Sequence, residues 1–294
     1  MENYIKPSFV IVGAQKCGTT SIYNYLKGHP DIFVPEIKET TFFSNSDLFL
    51  RGKDYYLSKY FKSDVNVQIA GEVCPLYLGS LNAPERIYQT LGDIKIIIIL
   101  RDPIKRAYSN FLMRKSRLLE KRSFENAVNS EMTMINELGP NERVNVSPGN
   151  DYLYNSLYAR HIKAYLDLFG FESICFLQFE DLCQDPNSFM KQLCHFLGSD
   201  KEIYTGLDRK YNVHSKPRSK NLEFFIRNNF RFKRHFKKLV PLFVQQRIIE
   251  WNTIPVQKEP MPERIKKKLD QFFEDENLRL TKMLKGAVNI KYSL

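Results

Sequence analysis

The sequence predicts an α/β fold of P-loop type, a mostly parallel sheet with helices on both faces. Two stretches and one rhythm carry that prediction. Phe9-Val10-Ile11-Val12 is a short apolar run, rich in β-branched residues, that enters a loop framed by Gly13 and Gly18 and then a helix. Ile94-Lys95-Ile96-Ile97-Ile98-Ile99-Leu100 has the length and branching of a strand buried on both faces, as in parallel sheets. Elsewhere strand-like and helix-like segments alternate, which is the pattern of strand–helix–strand units.

In chain order, Phe9–Val12 forms the first strand and Thr19–Lys27 the helix after the glycine loop. Strands follow at Gln68–Glu72, Ile94–Leu100 and Ser173–Gln178, and helices at Pro84–Leu91, Pro103–Leu118, Tyr154–Phe169 and Pro186–Leu197. Pro103 suits a first helical turn. The last of these helices has regular apolar spacing and stops at Gly198, which makes its His195 structural. Glu120–Asp151 is polar and broken by Gly139-Pro140 and Pro148-Gly149, so it reads as an insertion or lid. Pro260-Met261-Pro262 precedes a long amphipathic helix to about Lys285, ending near Gly286. With 294 residues, 43% of them hydrophobic, the chain can bury one enzyme-sized core, and residues 1–294 read as a single domain without internal repeats.

No stretch is long and apolar enough to span a bilayer, and the first strand begins too soon for a secretory h-region. A cytoplasmic location is expected, although a chain cut from a membrane-anchored enzyme would read the same. Five cysteines without C-x-x-C spacing indicate neither a disulfide framework nor a zinc site. The formal charge of +11 is concentrated: residues 209–238 hold eleven lysines and arginines against Glu223 alone, a net +10. Such a field raises the local concentration of acidic partners. The interleaved Phe224, Phe225, Phe230, Phe232 and Phe236 fall at helical spacing, the buried side of a basic amphipathic helix rather than a base-stacking surface. Nucleic acid is therefore not the expected partner, since nothing else resembles a recognised module.

Gly13-Ala14-Gln15-Lys16-Cys17-Gly18-Thr19-Thr20-Ser21 has the glycine spacing of a phosphate-binding loop, but Thr19 stands where a nucleotide triphosphatase needs its lysine. The lysine lies inside the loop, at Lys16. Free amides, the helix dipole and the hydroxyls of Thr19, Thr20 and Ser21 favour an anionic oxygen there. An ordinary strand–turn–helix with a threonine cap fits the same residues. Cys17, near a helix N-terminus and a lysine, is placed to have its thiol pKa lowered, or else packs beneath the loop. Arg101 falls at the carboxyl end of the isoleucine strand, where ligands of open α/β sheets bind, and Ser109 follows two turns into the next helix. Pairing of Arg101 with a neighbouring acid is the competing reading.

Together the two stretches resemble the sulfotransferases that use 3′-phosphoadenosine 5′-phosphosulfate (PAPS). Gly13 through Ser21 matches their 5′-phosphosulfate motif, and Arg101-Asp102-Pro103 through Ser109 their 3′-phosphate motif. Gly28-His29-Pro30-Asp31-Ile32, Lys38-Glu39-Thr40-Thr41-Phe42-Phe43, Gly71-Glu72-Val73-Cys74-Pro75-Leu76-Tyr77 and Phe179 through Pro186 follow in the family's order. The Lys-Glu-x-x-Phe-Phe element is similar to the branch that includes the heparan sulfate sulfotransferases, here as a soluble, bacterial-type member. Thr41 and Val73 depart from it, standing where those enzymes commonly carry histidine and, in several, lysine.

The resemblance implies PAPS as co-substrate, bound by Gln15, Lys16, Cys17, Gly18, Thr19, Thr20, Ser21, Arg101 and Ser109. It also implies a late basic closing loop at Asn212–Lys220, with Lys216 and Arg218; the insertion or lid at Glu120–Asp151 would then lie over the acceptor side. Glu39 would be the general base and Lys16 the stabiliser of the leaving phosphate. A solvated Glu39 beside Lys38 is the plainer alternative. No metal is required in principle, because the transferring group carries less charge than a phosphoryl group. The acceptor is a hydroxyl, expected on a glycan or glycolipid. A P-loop kinase, a non-enzymatic anion binder, or a sulfotransferase for small alcohols or phenols remains as an alternative. The oligomeric state stays open.

Overall fold

The computed structural model describes residues 4–63, 67–207, 215–219, 221–223, 242–256 and 259–284. Strand β1 (Phe9–Gly13) is followed by α1 (Thr19–Lys27), β2 (Ile32–Phe33), α2 (Ser46–Phe49), α3 (Gly52–Tyr60), β3 (Ile69–Val73) and α4 (Ala83–Leu91). Then come β4 (Lys95–Leu100), α5 (Pro103–Ser116), α6 (Phe124–Asn136), α7 (Tyr158–Phe169), β5 (Ile174–Gln178), α8 (Phe179–Gln184) and α9 (Pro186–Leu197). Strand β6 (Ser215–Pro217), α10 (Leu242–Trp251), β7 (Thr253–Pro255) and α11 (Glu263–Leu284) complete the described elements. Most of the basic segment, including Arg209, Lys220, Arg231 and Lys238, lies outside the described residues, as do His214 and the expected end of α11 at Gly286.

The expected parallel sheet is present, in the order β2-β3-β1-β4-β5. Every residue of β1 is buried, as is β4 from Ile96 onward, so helices cover both faces of the centre. The fully buried isoleucines Ile96–Ile99 each contribute roughly 2 kcal/mol by leaving water. Gly71 makes the β1–β3 pairing possible, since a Cβ there would stand 2.2 Å from the Phe9 carbonyl oxygen. Strand β1 leads through α1 toward the β2 edge, whereas its neighbour β4 leads toward β5, and this reversal makes their carboxyl ends a topological switch point, where open α/β sheets bind ligands. Among the described residues no helix is long and apolar enough to cross a membrane.

Three elements differ from the sequence expectation. Residues 154–156 form a separate 3₁₀ turn, so α7 begins at Tyr158 rather than Tyr154. Helix α5 ends at Ser116, and Leu118 takes φ 57°. The polar stretch 120–151 contains α6, begun by Ser123, whose side chain accepts from the Asn126 amide. Helix α6 belongs to a second apolar cluster, in which Phe124 and Val128 join Phe111 of α5, Tyr152 and, from α11, Leu269 and Phe273. Its inward face also carries Glu131, an acid that masks the helix in the sequence.

Glu131 accepts the Tyr154 amide at 2.7 Å, and the neutral His161, its pKa pushed down to about 3 by burial, donates to the Tyr154 carbonyl at 2.9 Å. Burial raises the Glu131 carboxyl from its ordinary 4.5 to about 7. The folded state thus holds this proton more tightly than the unfolded chain does. The contribution is complete below about pH 4.5 and is lost as pH rises through about 7, a swing of roughly 3 kcal/mol. Thermal unfolding of wild type and Glu131→Gln across this range should show the wild type losing stability relative to the variant as pH rises.

Candidate active site

The glycine loop sits at the carboxyl end of β1. Its start is fixed by backbone bonds: the Ala14 amide donates to Ile99 of β4 (2.9 Å) and the Cys17 amide to Ala14 (3.2 Å). Lys16 and Gly18 both take positive φ, 73° and 75°. Gly18 caps α1 without a side-chain bond, which leaves the first amides of that helix, those of Thr19, Thr20 and Ser21, without partners inside it. A Cβ on Gly18 would lie 2.7 Å from Leu182 and 3.1 Å from Phe179, so α8 supports the loop at a distance only glycine allows.

Arg101 projects from the end of β4 onto this loop. Its Nη1 donates to the Lys16 carbonyl at 2.9 Å, and its guanidinium lies 4.5 Å from the centre of the Phe179 ring. Among the described residues no carboxylate pairs with it and its buried Nε has no partner. The loop and the arginine, 85 positions apart, are one assembly. Asp102 caps α5 by accepting the Lys105 amide (2.8 Å). Lys16 Nζ lies 3.5 Å from the Met113 sulfur, and Ser109 stands one helical turn before Met113, on the same face of α5.

Glu39 reaches the same sheet edge from the other side of β1. Its amide donates to the carbonyl of Val73, the last residue of β3, at 3.2 Å. Glu39 and Thr41 both take positive φ, 60° and 57°, which is unfavourable for a β-branched residue such as Thr41. The segment is tied on either side, by the Tyr23 hydroxyl donating to the Pro35 carbonyl (2.8 Å) and by Arg86 donating to the Phe43 carbonyl (3.2 Å). The Glu39 side chain is 37% exposed and pairs with the Lys38 ammonium.

Lys216 belongs to the small antiparallel pair β6–β7, Arg218 follows β6 directly, and β6 lies against α5, the helix of Ser109. The Arg218 guanidinium stands 5.2 Å from the Trp251 ring centre. Gln15 contributes its carbonyl oxygen, which accepts from Arg106 at 3.4 Å. Sequence reasoning passed over Arg106. Fully buried on α5, it also donates to the Ser156 hydroxyl (2.6 Å) and to the Tyr152 carbonyl, and so joins the glycine loop to the second cluster. The signal was a charged residue amid the apolar positions Pro103, Ile104, Ala107 and Phe111.

Of the two readings of Cys17, the structure supports packing beneath the loop. Burial pushes its thiol up to about 11, against the lowering effect of the nearby Arg101 and Arg106 charges, so packing beneath the loop is its role and a lowered pKa is not.

A family model described as "Sulfotransferase domain" matches residues 6–283. Membrane-associated sulfotransferase kil1 of Dictyostelium discoideum is 22% identical over 298 residues, covering 76% of this chain and 63% of that protein. Bifunctional heparan sulfate N-deacetylase/N-sulfotransferase 3 of Homo sapiens is 30% identical over 200 residues, 65% of this chain and 22% of that protein. Heparan sulfate glucosamine 3-O-sulfotransferase 3B1 of Mus musculus is 28% identical over 203 residues, 67% and 49% of the two chains. The chain thus spans less than two thirds of each of these relatives. Among solved structures, a sulfotransferase from Alicyclobacillus acidocaldarius superposes with a TM-score of 0.66 at 27% identity, covering 95% of this chain and 96% of that one.

Two measurements check the loop. Gly18→Ala combines a strained φ with the Leu182 and Phe179 overlap and should lower stability in urea denaturation by about 2 kcal/mol. Alkylation at neutral pH, mapped by peptide mass spectrometry, should modify the exposed Cys183 readily and Cys17 only after unfolding.

Proposed function

Because the chain belongs to the sulfotransferase domain family, we propose that it transfers a sulfuryl group from PAPS to an acceptor hydroxyl by in-line displacement. The observation that carries the donor assignment is the joint built by Arg101 on the Lys16 carbonyl. It sets a guanidinium whose buried Nε has no partner among the described residues beside a glycine loop whose lysine has left the nucleotide-triphosphatase position. The residues present fit an adenosine nucleotide phosphorylated at two places. Lys16, the amides of Thr19–Ser21 and their hydroxyls would hold the 5′-phosphosulfate. Arg101 and Ser109 would hold the 3′-phosphate, the feature that separates PAPS from ATP. Lys216 of β6 and Arg218 just after it would close over the nucleotide.

The bound donor supplies the sulfuryl group and a stable leaving phosphate. Glu39 takes the proton of the acceptor hydroxyl as the new S–O bond forms, a role worth roughly 10²–10⁴-fold. Lys16 neutralises the charge that collects on the oxygen bridging sulfur to the 5′-phosphate as that bond breaks. This carboxylate and this lysine flank β1 from opposite sides, Glu39 tied to the end of β3 and Lys16 braced from the end of β4. A carbohydrate hydroxyl, on a glycan or glycolipid, is the acceptor we favour. The matching relatives include enzymes named for heparan sulfate, although Thr41 and Val73 point to a different sugar environment.

Calorimetric titration with 3′-phosphoadenosine 5′-phosphate, and separately with ADP and Mg²⁺, tests the donor. The first should bind tightly, and Arg101→Ala should weaken it at least about tenfold through loss of a charge-assisted contact. Preference for ADP with Mg²⁺ would overturn the assignment. Lys16→Ala and Glu39→Gln should abolish transfer while the protein stays folded. A fully active Glu39→Gln enzyme would remove Glu39 as the base.

A further inference from the structure

Glu72 is the penultimate residue of β3, 1% exposed, and has no part in the mechanism above. Its Oε2 accepts from the Thr40 hydroxyl at 2.7 Å, while its Oε1 is buried without a hydrogen-bond partner among the described residues. Thr40 Oγ1 in turn accepts the Phe42 amide (3.2 Å) and the Tyr77 hydroxyl (3.0 Å), and the Tyr77 oxygen accepts the Phe43 amide (3.3 Å). One proton assignment uses both hydroxyls of the network: Thr40 gives its hydrogen to the carboxylate and Tyr77 gives its own to Thr40. Every group in it is buried.

This network lies under the segment that carries Glu39. The backbone takes positive φ at Glu39 and again at Thr41, and Thr40 between them is the residue Glu72 grips. Such conformations cost on the order of 1–3 kcal/mol each and persist only where surrounding contacts over-determine them. Strand β3 supplies those contacts twice, through the Val73 carbonyl on the Glu39 amide and the Glu72 carboxylate on the Thr40 side chain. We propose that Glu72 is a positioning residue, which holds the Glu39 carboxylate in its working place by anchoring the Thr40 hydroxyl. The proposal rests on the reading of Glu39 as the base.

The anchor is strongest when Glu72 is charged, because a hydroxyl donating to a carboxylate makes a stronger bond than one between neutral groups. Burial raises the Glu72 carboxyl from its ordinary 4.5 to about 7, with the Thr40, Tyr77 and Tyr56 hydroxyls pulling it back down. The titratable groups that feel its charge are Tyr56 and Tyr60 on α3 and Cys74 and Tyr77 beyond β3. Burial holds each of these above its ordinary pKa, so all four stay neutral near pH 7. The Thr40–Glu72 bond itself therefore weakens as pH falls through about 7, whereas the fold as a whole loses stability as pH rises from about 4.5 to about 7, because burial disfavours the charged carboxylate.

The test combines hydrogen exchange of the Phe42 and Phe43 amides, read by NMR and corrected for intrinsic rates, with transfer from PAPS to heparosan oligosaccharides. Thr40→Val should raise exchange at both amides roughly tenfold, the worth of one buried hydrogen bond, and Thr40→Ser should restore it. Glu72→Gln should remove the pH dependence of exchange near 7 that the wild type shows. Where heparosan is accepted, Thr40→Val and Glu72→Gln should lower kcat while affinity for 3′-phosphoadenosine 5′-phosphate stays at the wild-type level. Wild-type exchange in Thr40→Val, or an unchanged pH dependence in Glu72→Gln, would overturn the proposal. An active Glu39→Gln enzyme with normal exchange would instead remove the base assignment and leave the anchor standing.

Discussion

Strand β1 lies between β3 and β4, and the chain leaves it only after three backbone bonds have tied its carboxyl end to both neighbours. The Ala14 amide donates to Ile99 on one side, while the carbonyls of Ile11 and Val12 accept the Cys74 and Leu78 amides on the other. The loops that follow β1, β3 and β4 are therefore held in one frame. Lys16, Glu39 and Arg101 come from three distant parts of the sequence, and each is referred to that frame by a backbone atom: Glu39 through its own amide, Lys16 through its own carbonyl, and Arg101 through the Lys16 carbonyl its guanidinium meets. Backbone anchoring limits the displacement of Lys16 and Glu39 without drawing on their own side chains.

A second theme is the use of buried ionisable groups as joints. Arg106 fastens the glycine loop to the 152–156 segment, Glu131 and His161 hold Tyr154 by its amide and carbonyl, and Glu72 holds Thr40. Each satisfies backbone or hydroxyl groups that would otherwise be orphaned inside the protein. The two carboxylates have their proton affinity raised by burial, so they act as joints whose strength depends on pH in the neutral range. In the sequence these residues look like ordinary surface charges. Periodicity records how apolar a face is and cannot report an acid whose partner is an amide twenty or more positions away.

The legible parts were those governed by local rules. The strands at Phe9 and Ile94 and the helices starting at Thr19 and Pro103 fell within a residue of their expected starts, since apolar runs, glycine turns and proline first turns act over a few residues. Strand β2 and helix α3 escaped notice because one has only two residues and the other mixes Tyr56 and Tyr60 with lysines on no regular face. Helix α6 was hidden by Glu131, and complete burial decided between the two readings of Cys17 in favour of packing.

What the sequence determined by itself was the set of parts: a glycine loop with its lysine displaced to Lys16, an arginine at a strand end, and a glutamate before a Phe-Phe pair. It also determined the parallel class of the sheet, because strands buried on both faces demand helices between them. Only the tertiary structure decided that Arg101 braces Lys16, that the Glu39 segment bends through two positive-φ residues, and that Glu72 and Thr40 hold it there. The physical reason is range. Propensity and periodicity act along the chain, whereas the partner of a buried polar group is chosen by whichever segments the sheet order brings side by side.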